Sequence, residues 1–307
     1  MMKSLQKLYF TCLLLIASIT IFAQTPQDGL MMGDKKLCAV VQYDTESWSQ
    51  YWEGDRLRNN QNVGTFTSNS ASVMAAYGVT SKFNIIASLP YISTSSTAGT
   101  MTGLSGLQDV SVAFKYRFLL YHKFRMFGVV GLSTPVTDYV PDFLPYSIGL
   151  HSKTASARLI AHQLLPLGIH ITAQAGYIAR DKIQVDRTNY YTGNEIQYSH
   201  EMAVPDQVST SLRIGVNKKE VLAEAFIDNI RCTTGTDIRR YDTPLPANKM
   251  DWTRIGLFVT WHTPIKNFSV NGHFAHVIAG RNVGKVNAAF GGQLQYIFDF
   301  SKKKSQK

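Results

Sequence analysis

The chain has 307 residues, with 31 Lys and Arg against 21 Asp and Glu and a formal charge of +10. The basic excess has no helical recognition pattern or aromatic RNA-binding signature beside it, which argues against a nucleic-acid partner and for a solvated tail and basic surfaces near anionic lipid. Beyond Ala23 no window approaches the roughly 18 consecutive apolar residues of a helical span, so α-helical membrane segments are excluded there.

Lys3 and Lys7 precede an apolar stretch from Leu8 through Phe22 that closes at Ala23. That is the layout of a secretory signal peptide over residues 1 to 23, and its apolar core is shorter than the ~20 residues a span needs. No small residue precedes Cys12 as a lipoprotein anchor would require, so Cys12 is expected to leave with the leader. Cys38 and Cys232 remain, in a compartment that permits a disulfide. The rest of the chain is long enough for one large β domain or two ordinary ones.

From Lys36 onward, apolar and polar residues alternate in segments of about ten, the period of a strand with two different faces. Twelve such runs fall near residues 36 to 45, 69 to 77, 83 to 92, 108 to 118, 124 to 133, 151 to 162, 169 to 180, 207 to 216, 220 to 230, 251 to 262, 267 to 279 and 288 to 300. In "DVSVAFKYRF", Val110, Val112, Phe114, Tyr116 and Phe118 share one face; Asp109, Ser111, Ala113, Lys115 and Arg117 share the other. The last run sets Phe290, Leu294, Tyr296 and Phe298 against Gln293, Gln295 and Asp299. The stretch from Asn217 to Ile230 would also suit an amphipathic helix on composition, but a strand there keeps the order of connections intact.

Those connections alternate. After the second, fourth, sixth, eighth and tenth runs they are short, as in "GVTSK" and "NKK"; after the odd-numbered runs they are mostly long, polar and rich in Gly, Ser, Thr, Asn and Pro. Tyr77, Phe83, Phe118, Tyr121, Phe124, Trp261, Phe268, Phe298 and Phe300 gather at the short-turn end, where amphipathic rings would meet a membrane-water interface. The expected fold is an all-β, up-and-down antiparallel transmembrane barrel of about twelve strands over residues 24 to 300, with short periplasmic turns, longer extracellular loops and a basic periplasmic tail at 301 to 307.

"YGVTSKFNIIASLPYI" followed by "GLSGLQDVSVAFKYRF" resembles the outer-membrane barrel family named for the MetA pathway of phenol degradation, the meta-cleavage route. Tyr77, Gly78, Thr80, Lys82, Pro90, Tyr91, Gly106, Asp109, Lys115, Tyr116 and Arg117 carry the likeness over about 40 residues. Ser81 and Asn84 stand where acids are usual, and Leu107 and Gln108 intrude between Gly106 and Asp109. The resemblance implies a transporter-like barrel that passes small, often hydrophobic molecules.

With the aromatic-bearing face toward lipid, the opposite face lines the lumen. The pore-lining candidates are Lys115, Arg117, Arg158, His170, Arg213, Glu224, Asp228, Arg254, His273, Gln293 and Gln295; Arg125, Gln174, His262 and Asp299 share that face. Arg158, Arg213 and Arg254 could favour anions in an open pore, or could pair with Glu224, Asp228 and Asp299 and fill a narrow one. Twelve strands enclose more room than the ~8 that side chains just fill, and less than a large porin.

No enzyme is expected. In "NGHFAH" the alternation sends His273 inward and His276 toward lipid, and neither the His-x-Ser-Asn-Gly of barrel phospholipases nor a Gly-x-Ser-x-Gly elbow occurs. No metal or cofactor is implied. Trp48, Tyr51, Trp52, Glu53, Asp55, Tyr190, Tyr191 and Glu195 in the long loops could bind a sugar or close the mouth, though loop packing is the simpler account. Cys38 and Cys232 fall at opposite ends of the barrel, too far apart for the ~7 Å Cα separation a disulfide needs. The expected function is an outer-membrane channel or transporter-like barrel for passive passage of a small solute, hydrophobic or anionic; the alternative is a non-conducting anchor whose loops bind a partner or polysaccharide. Expected partners are outer-membrane lipids, the solute and the barrel-assembly machinery.

Overall fold

The computed structural model describes residues 25 to 240 and 242 to 301. The leader (residues 1 to 23) and the tail beyond Ser301 lie outside the described residues. Twelve long strands form the wall: β1 (Lys36–Trp48), β2 (Phe66–Gly78), β3 (Phe83–Ser96), β4 (Asp109–Tyr121), β5 (Phe124–Pro135), β6 (Thr154–Leu164), β7 (Ile169–Arg180), β8 (Gln207–Asn217), β9 (Val221–Cys232), β10 (Asp251–His262), β11 (Phe268–Arg281) and β12 (Ala288–Asp299). Each pairs antiparallel with its chain neighbour. β1 closes the ring by pairing β12, Lys36 opposite Asp299, and β2, Leu37 opposite Tyr77.

All twelve expected runs are strands, and the ambiguous stretch after Asn217 is β9. Helix propensity there loses to position: β9 lies between β8 and β10 and is laddered to both, which satisfies its backbone across the wall, with Leu222, Glu224, Phe226 and Asp228 on the inward face. Turns at residues 79 to 82, 122 to 123, 165 to 168, 218 to 220 and 263 to 267 join the strands at one end. The two-residue turn works because His122 accepts a φ of 50°, the left-handed conformation a tight reversal needs.

The other end carries the long loops, except that β11 and β12 are joined by only six residues, 282 to 287. Short strand pairs build these loops: Gln50–Glu53 with Arg56–Asn59, Tyr190–Thr192 with Glu195–Gln197, and Ile183–Gln184 with Glu201–Met202. Trp52 is buried against Val277 and Val286, and Tyr190 against Met202, Val204 and Leu245, so the loop aromatics serve packing. Arg281 grips both carboxylate oxygens of Asp237, at 2.6 and 2.5 Å, and Asn282 Oδ1 accepts from the Gly54 and Ile238 amides. Three loops are thereby tied together. The guanidinium and the Asn282 amide hold the Asp237 carboxyl below the usual carboxylate range. Tyr139 donates to Asp109 at 2.5 Å, and burial together with that bond pushes its hydroxyl upward.

Pairing along β3 is uneven. β4 meets it only from Phe83 opposite Tyr116 to Ser88 opposite Ser111; above that point the short strand Ser105–Leu107 takes over against Tyr91–Ser93. Pro90 has no N–H to give, and its carbonyl accepts from the Gln108 amide at 3.0 Å.

The outer face carries a broad apolar band: Val41, Val73, Phe114, Val130, Leu159, Leu212, Ile214, Leu257 and Leu294 are all exposed. In water this would be a large unpaired patch; around a closed barrel it is the lipid-facing band. Tyr77, Phe118, Tyr121, Trp261 and Phe298 are exposed at the turn end, as a girdle requires. Inside the turn-end half, an apolar cluster of Cys38, Val40, Ala76, Ile86, Phe127, Val129, Ile160 and Ile297 packs around Met32, and Asn84, Lys115, His162, His170, Ser269, Asn271 and Gln295 are buried at the same end. Cys38 sits beside Ile297 at the turn end and Cys232 beside Gln207 at the loop end; both are free thiols.

Candidate functional site

Residues 25 to 34 do not extend the wall. They enter at the turn end, where the Lys35 amide donates to the Gly78 carbonyl, and run up inside the barrel. Asp28 anchors them. Its carboxylate accepts from the Thr25 and Leu30 amides and from Lys115 Nζ, at 2.8 Å in the last case. Lys115 Nζ also donates to the carbonyls of Asp28 (2.7 Å) and Thr25 (3.1 Å), and sits 5.3 Å from the Phe127 ring centre. A fully buried ammonium needs such a set of acceptors.

The remaining contacts of the segment are with lumenal side chains. Arg158 Nη1 reaches the Pro26 carbonyl and Arg213 Nη2 reaches Gln27 Oε1, each at 3.5 Å. Gly29 passes so close to β6 that a Cβ there would lie 2.1 Å from His162 Nδ1. His162 Nδ1 and Thr172 Oγ1 share a hydrogen bond of 2.7 Å across β6 and β7.

Above the segment lies a cavity of about 490 Å³, walled mainly by β1, β2 and β8 to β12. Two histidine–carboxylate pairs in the lumen share one construction. His273 on β11 and Asp44 on β1 meet at 3.2 Å across Gly291 of β12; His170 on β7 and Glu224 on β9 meet at 2.8 Å across Gly215 of β8. In each, the middle strand offers no side chain, so a histidine and a carboxylate two strands apart can touch. Glu224 also takes Arg213 at 3.5 Å, and Asp228 takes Arg254 at 3.1 Å. Both guanidiniums flank the Phe226 ring, at 5.3 and 5.9 Å. Gln42, Asn271, Gln293 and Gln295 form a hydrogen-bonded amide ladder on the β1, β11 and β12 wall.

All eleven pore-lining candidates point inward, but they divide. Lys115, Arg158 and Arg213 hold the inserted segment; His170, Glu224, Asp228, Arg254 and His273 pair with lumenal partners; Gln293 and Gln295 join the amide ladder. Arg117 stands apart, nearer the turn end. Asp299 does not join the arginines: it lies at the turn-end rim, paired with Lys36 at 3.4 Å. Asp28, Asp44, Glu46 and His162 are absent from the sequence-derived set. Asp44 and Glu46 continue the inward period of Val40 and Gln42, so alternation alone could have placed them. Asp28 precedes the first strand and carries no periodic signal.

Among solved structures, the chain superposes on the COG4313 outer membrane channel from Pseudomonas putida F1 with a TM-score of 0.73 at 12% identity, covering 90% of this chain and 100% of that one. The β domain of the Bordetella autotransporter BrkA gives a TM-score of 0.50 at 13% identity, over 86% and 100% of the two chains. No protein-family model matches the chain. No curated protein matches it. At such low identities the likeness is one of fold: a closed, twelve-stranded antiparallel barrel of the outer-membrane kind.

Proposed function

We propose that this chain is an outer-membrane channel for passive passage of a small solute, held closed by its own N-terminal segment. One observation carries this: residues 25 to 32 occupy the lumen on side-chain contacts to the wall, while a cavity of about 490 Å³ stays open above them. A barrel that only anchored surface loops would have no use for either. The resemblance of the β2 to β4 region to the phenol-degradation barrel family, and the channel nature of the Pseudomonas putida protein, support the same function. Secretion through cleavage of the leader, insertion by the barrel-assembly machinery and a non-enzymatic role belong to this proposal. The inward His273 and outward His276 lie on opposite faces, as separate chemistry would place them.

The paired arginines favour a narrow, charge-balanced lumen over an anion pore. Single-channel recording in a planar bilayer tests the function. Small unitary steps are expected, and Asp28→Asn should enlarge them. A folded, heat-modifiable barrel that stays silent, with Asp28→Asn equally silent, would overturn the channel in favour of the surface anchor.

A further inference from the structure

The turn-end half of the lumen has two unlike sides. Most of the apolar cluster around Met32 lies on β1 to β6. On β10 to β12, by contrast, two inward rows step down from the cavity toward the turn end. In the first, Thr260 stands opposite Asn271, Asn271 opposite Gln293, and Gln293 opposite Gln42 of β1; in the second, His262 stands opposite Ser269 and Ser269 opposite Gln295. Gln42 and Gln293 line the cavity, and His262, the last residue of β10, is only partly buried at the rim.

These rows are hydrogen-bonded internally, but not to completion. Asn271 Nδ2 donates to Gln293 Oε1 at 2.9 Å and to Gln295 Oε1 at 3.3 Å, and His262 and Ser269 share a bond of 3.0 Å. Thr260 Oγ1, Asn271 Oδ1 and Gln295 Nε2 have no hydrogen-bond partner among the described residues, although Thr260, Asn271 and Gln295 are 0, 2 and 1% exposed. Polar atoms buried so deeply are costly to leave alone, and ordered water is their usual partner where protein supplies none. On three consecutive strands, one of these atoms can donate, one accept and one do both, which suits a small molecule that also does both. No carboxylate, ammonium or guanidinium stands in either row.

We propose that Thr260, Asn271 and Gln295 line a wetted track that carries water and uncharged solutes of about urea's size past the inserted segment, between the cavity and the turn-end rim. Amides and hydroxyls replace the hydration of such a solute as it moves, as the donors and acceptors lining any narrow pore set its selectivity. The proposal rests on the channel function and names a solute class for the state in which residues 25 to 32 stay in place.

The test is stopped-flow light scattering of sealed phospholipid vesicles carrying the purified barrel and challenged with urea. Urea should enter faster than in protein-free vesicles. Thr260→Val keeps the shape of the side chain and removes only the hydroxyl that has no protein partner. It should slow the protein-dependent entry by about fivefold, the worth of one hydrogen bond, while the folded band converts on heating no earlier than the parent's. A threonine that serves packing alone would leave the rate unchanged. Should Thr260→Val lose heat-dependent migration, Gln295→Met takes its place with the same expectation for the rate. Urea entry no faster than in protein-free vesicles, or parental entry in the folded variant, would overturn the proposal. Conductance that grows in Asp28→Asn beside background urea entry would keep the channel and lose the track; urea entry through barrels that are electrically silent with and without Asp28→Asn would keep the track and lose the segment-gated channel.

Discussion

Asp28 Oδ1 and Lys115 Nζ lie 2.8 Å apart inside the barrel, the lysine side chain wholly buried and the aspartate nearly so. Removing one partner of such a pair costs roughly 3–5 kcal/mol, because the other charge is left buried and unpaired. In a closed barrel that cost need not unfold the wall: the inserted segment can withdraw and let water reach Lys115. Asp28→Asn should therefore enlarge unitary conductance and make the N-terminal segment protease-sensitive from the turn end, with barrel melting unchanged. Parental conductance together with parental protection would show that other contacts hold the segment.

Gly291 and Gly292 are neighbours on β12 with opposite surroundings. A Cβ on Gly291 would stand 2.0 Å from His273 Cε1 and 2.1 Å from Asp44 Oδ1, whereas one on Gly292 meets nothing nearer than 3.7 Å. Gly291→Ala must displace the His273 to Asp44 pair and should lower the temperature at which the folded band converts on a detergent gel. Gly292→Ala, facing lipid, should leave it within error of the parent. Equal shifts for both would contradict the assigned faces of β12.

Asp237 ties three loops through Arg281 and Asn282, and its pKa is depressed. A depressed carboxyl contributes stability that is fully present above its free value, about 4 for an aspartate, and is lost as pH falls through the lower bound value. Hydrogen exchange in residues 233 to 250 should thus be steady between about pH 7 and 5 and rise sharply below about 4. Asp237→Asn should show the fast exchange already at pH 7. Identical pH profiles for parent and variant would remove this residue from the account.

Leu257 on the outer face of β10 is 55% exposed at mid-strand, and Tyr121 at the turn-end rim is 67% exposed. A lipid-facing arginine costs about 2–4 kcal/mol at the bilayer midplane and about 0–1 near the interface. Equilibrium unfolding in phospholipid vesicles should give that ranking, Leu257→Arg much worse than Tyr121→Arg. The opposite ranking would mean the bilayer sits elsewhere on the wall.

Cys38 is fully buried at the turn end, whereas Cys232 is partly accessible at the loop end. A maleimide reagent should label Cys232 alone in the folded barrel and both thiols after boiling in detergent. Early labelling of Cys38, or an intact disulfide by mass spectrometry, would break the topology.

The wall of this protein is written locally. Alternation over runs such as Asp109–Phe118 and Phe290–Phe298 determines strand identity and which side meets lipid, because the side-chain period of a strand is two and a barrel's faces differ in solvent. Even the helix-like composition after Asn217 yields to that logic. Turn lengths determine which end is which, and alternation also places all eleven lumenal candidates on the inner face. It does not say how those side chains pair. Glu224 meets His170 only because Gly215 stands between them, and His273 meets Asp44 only across Gly291; β1 and β12 touch only after ring closure brings the two ends of the chain together. The insertion of residues 25 to 32 is likewise decided in three dimensions, since Asp28 and Lys115 are 87 positions apart and share no period. The sequence by itself determined a barrel and its two faces, as those follow from local period and solvent; the closed lumen and its paired arginines depend on contacts that exist only once twelve strands have closed around residues 25 to 34.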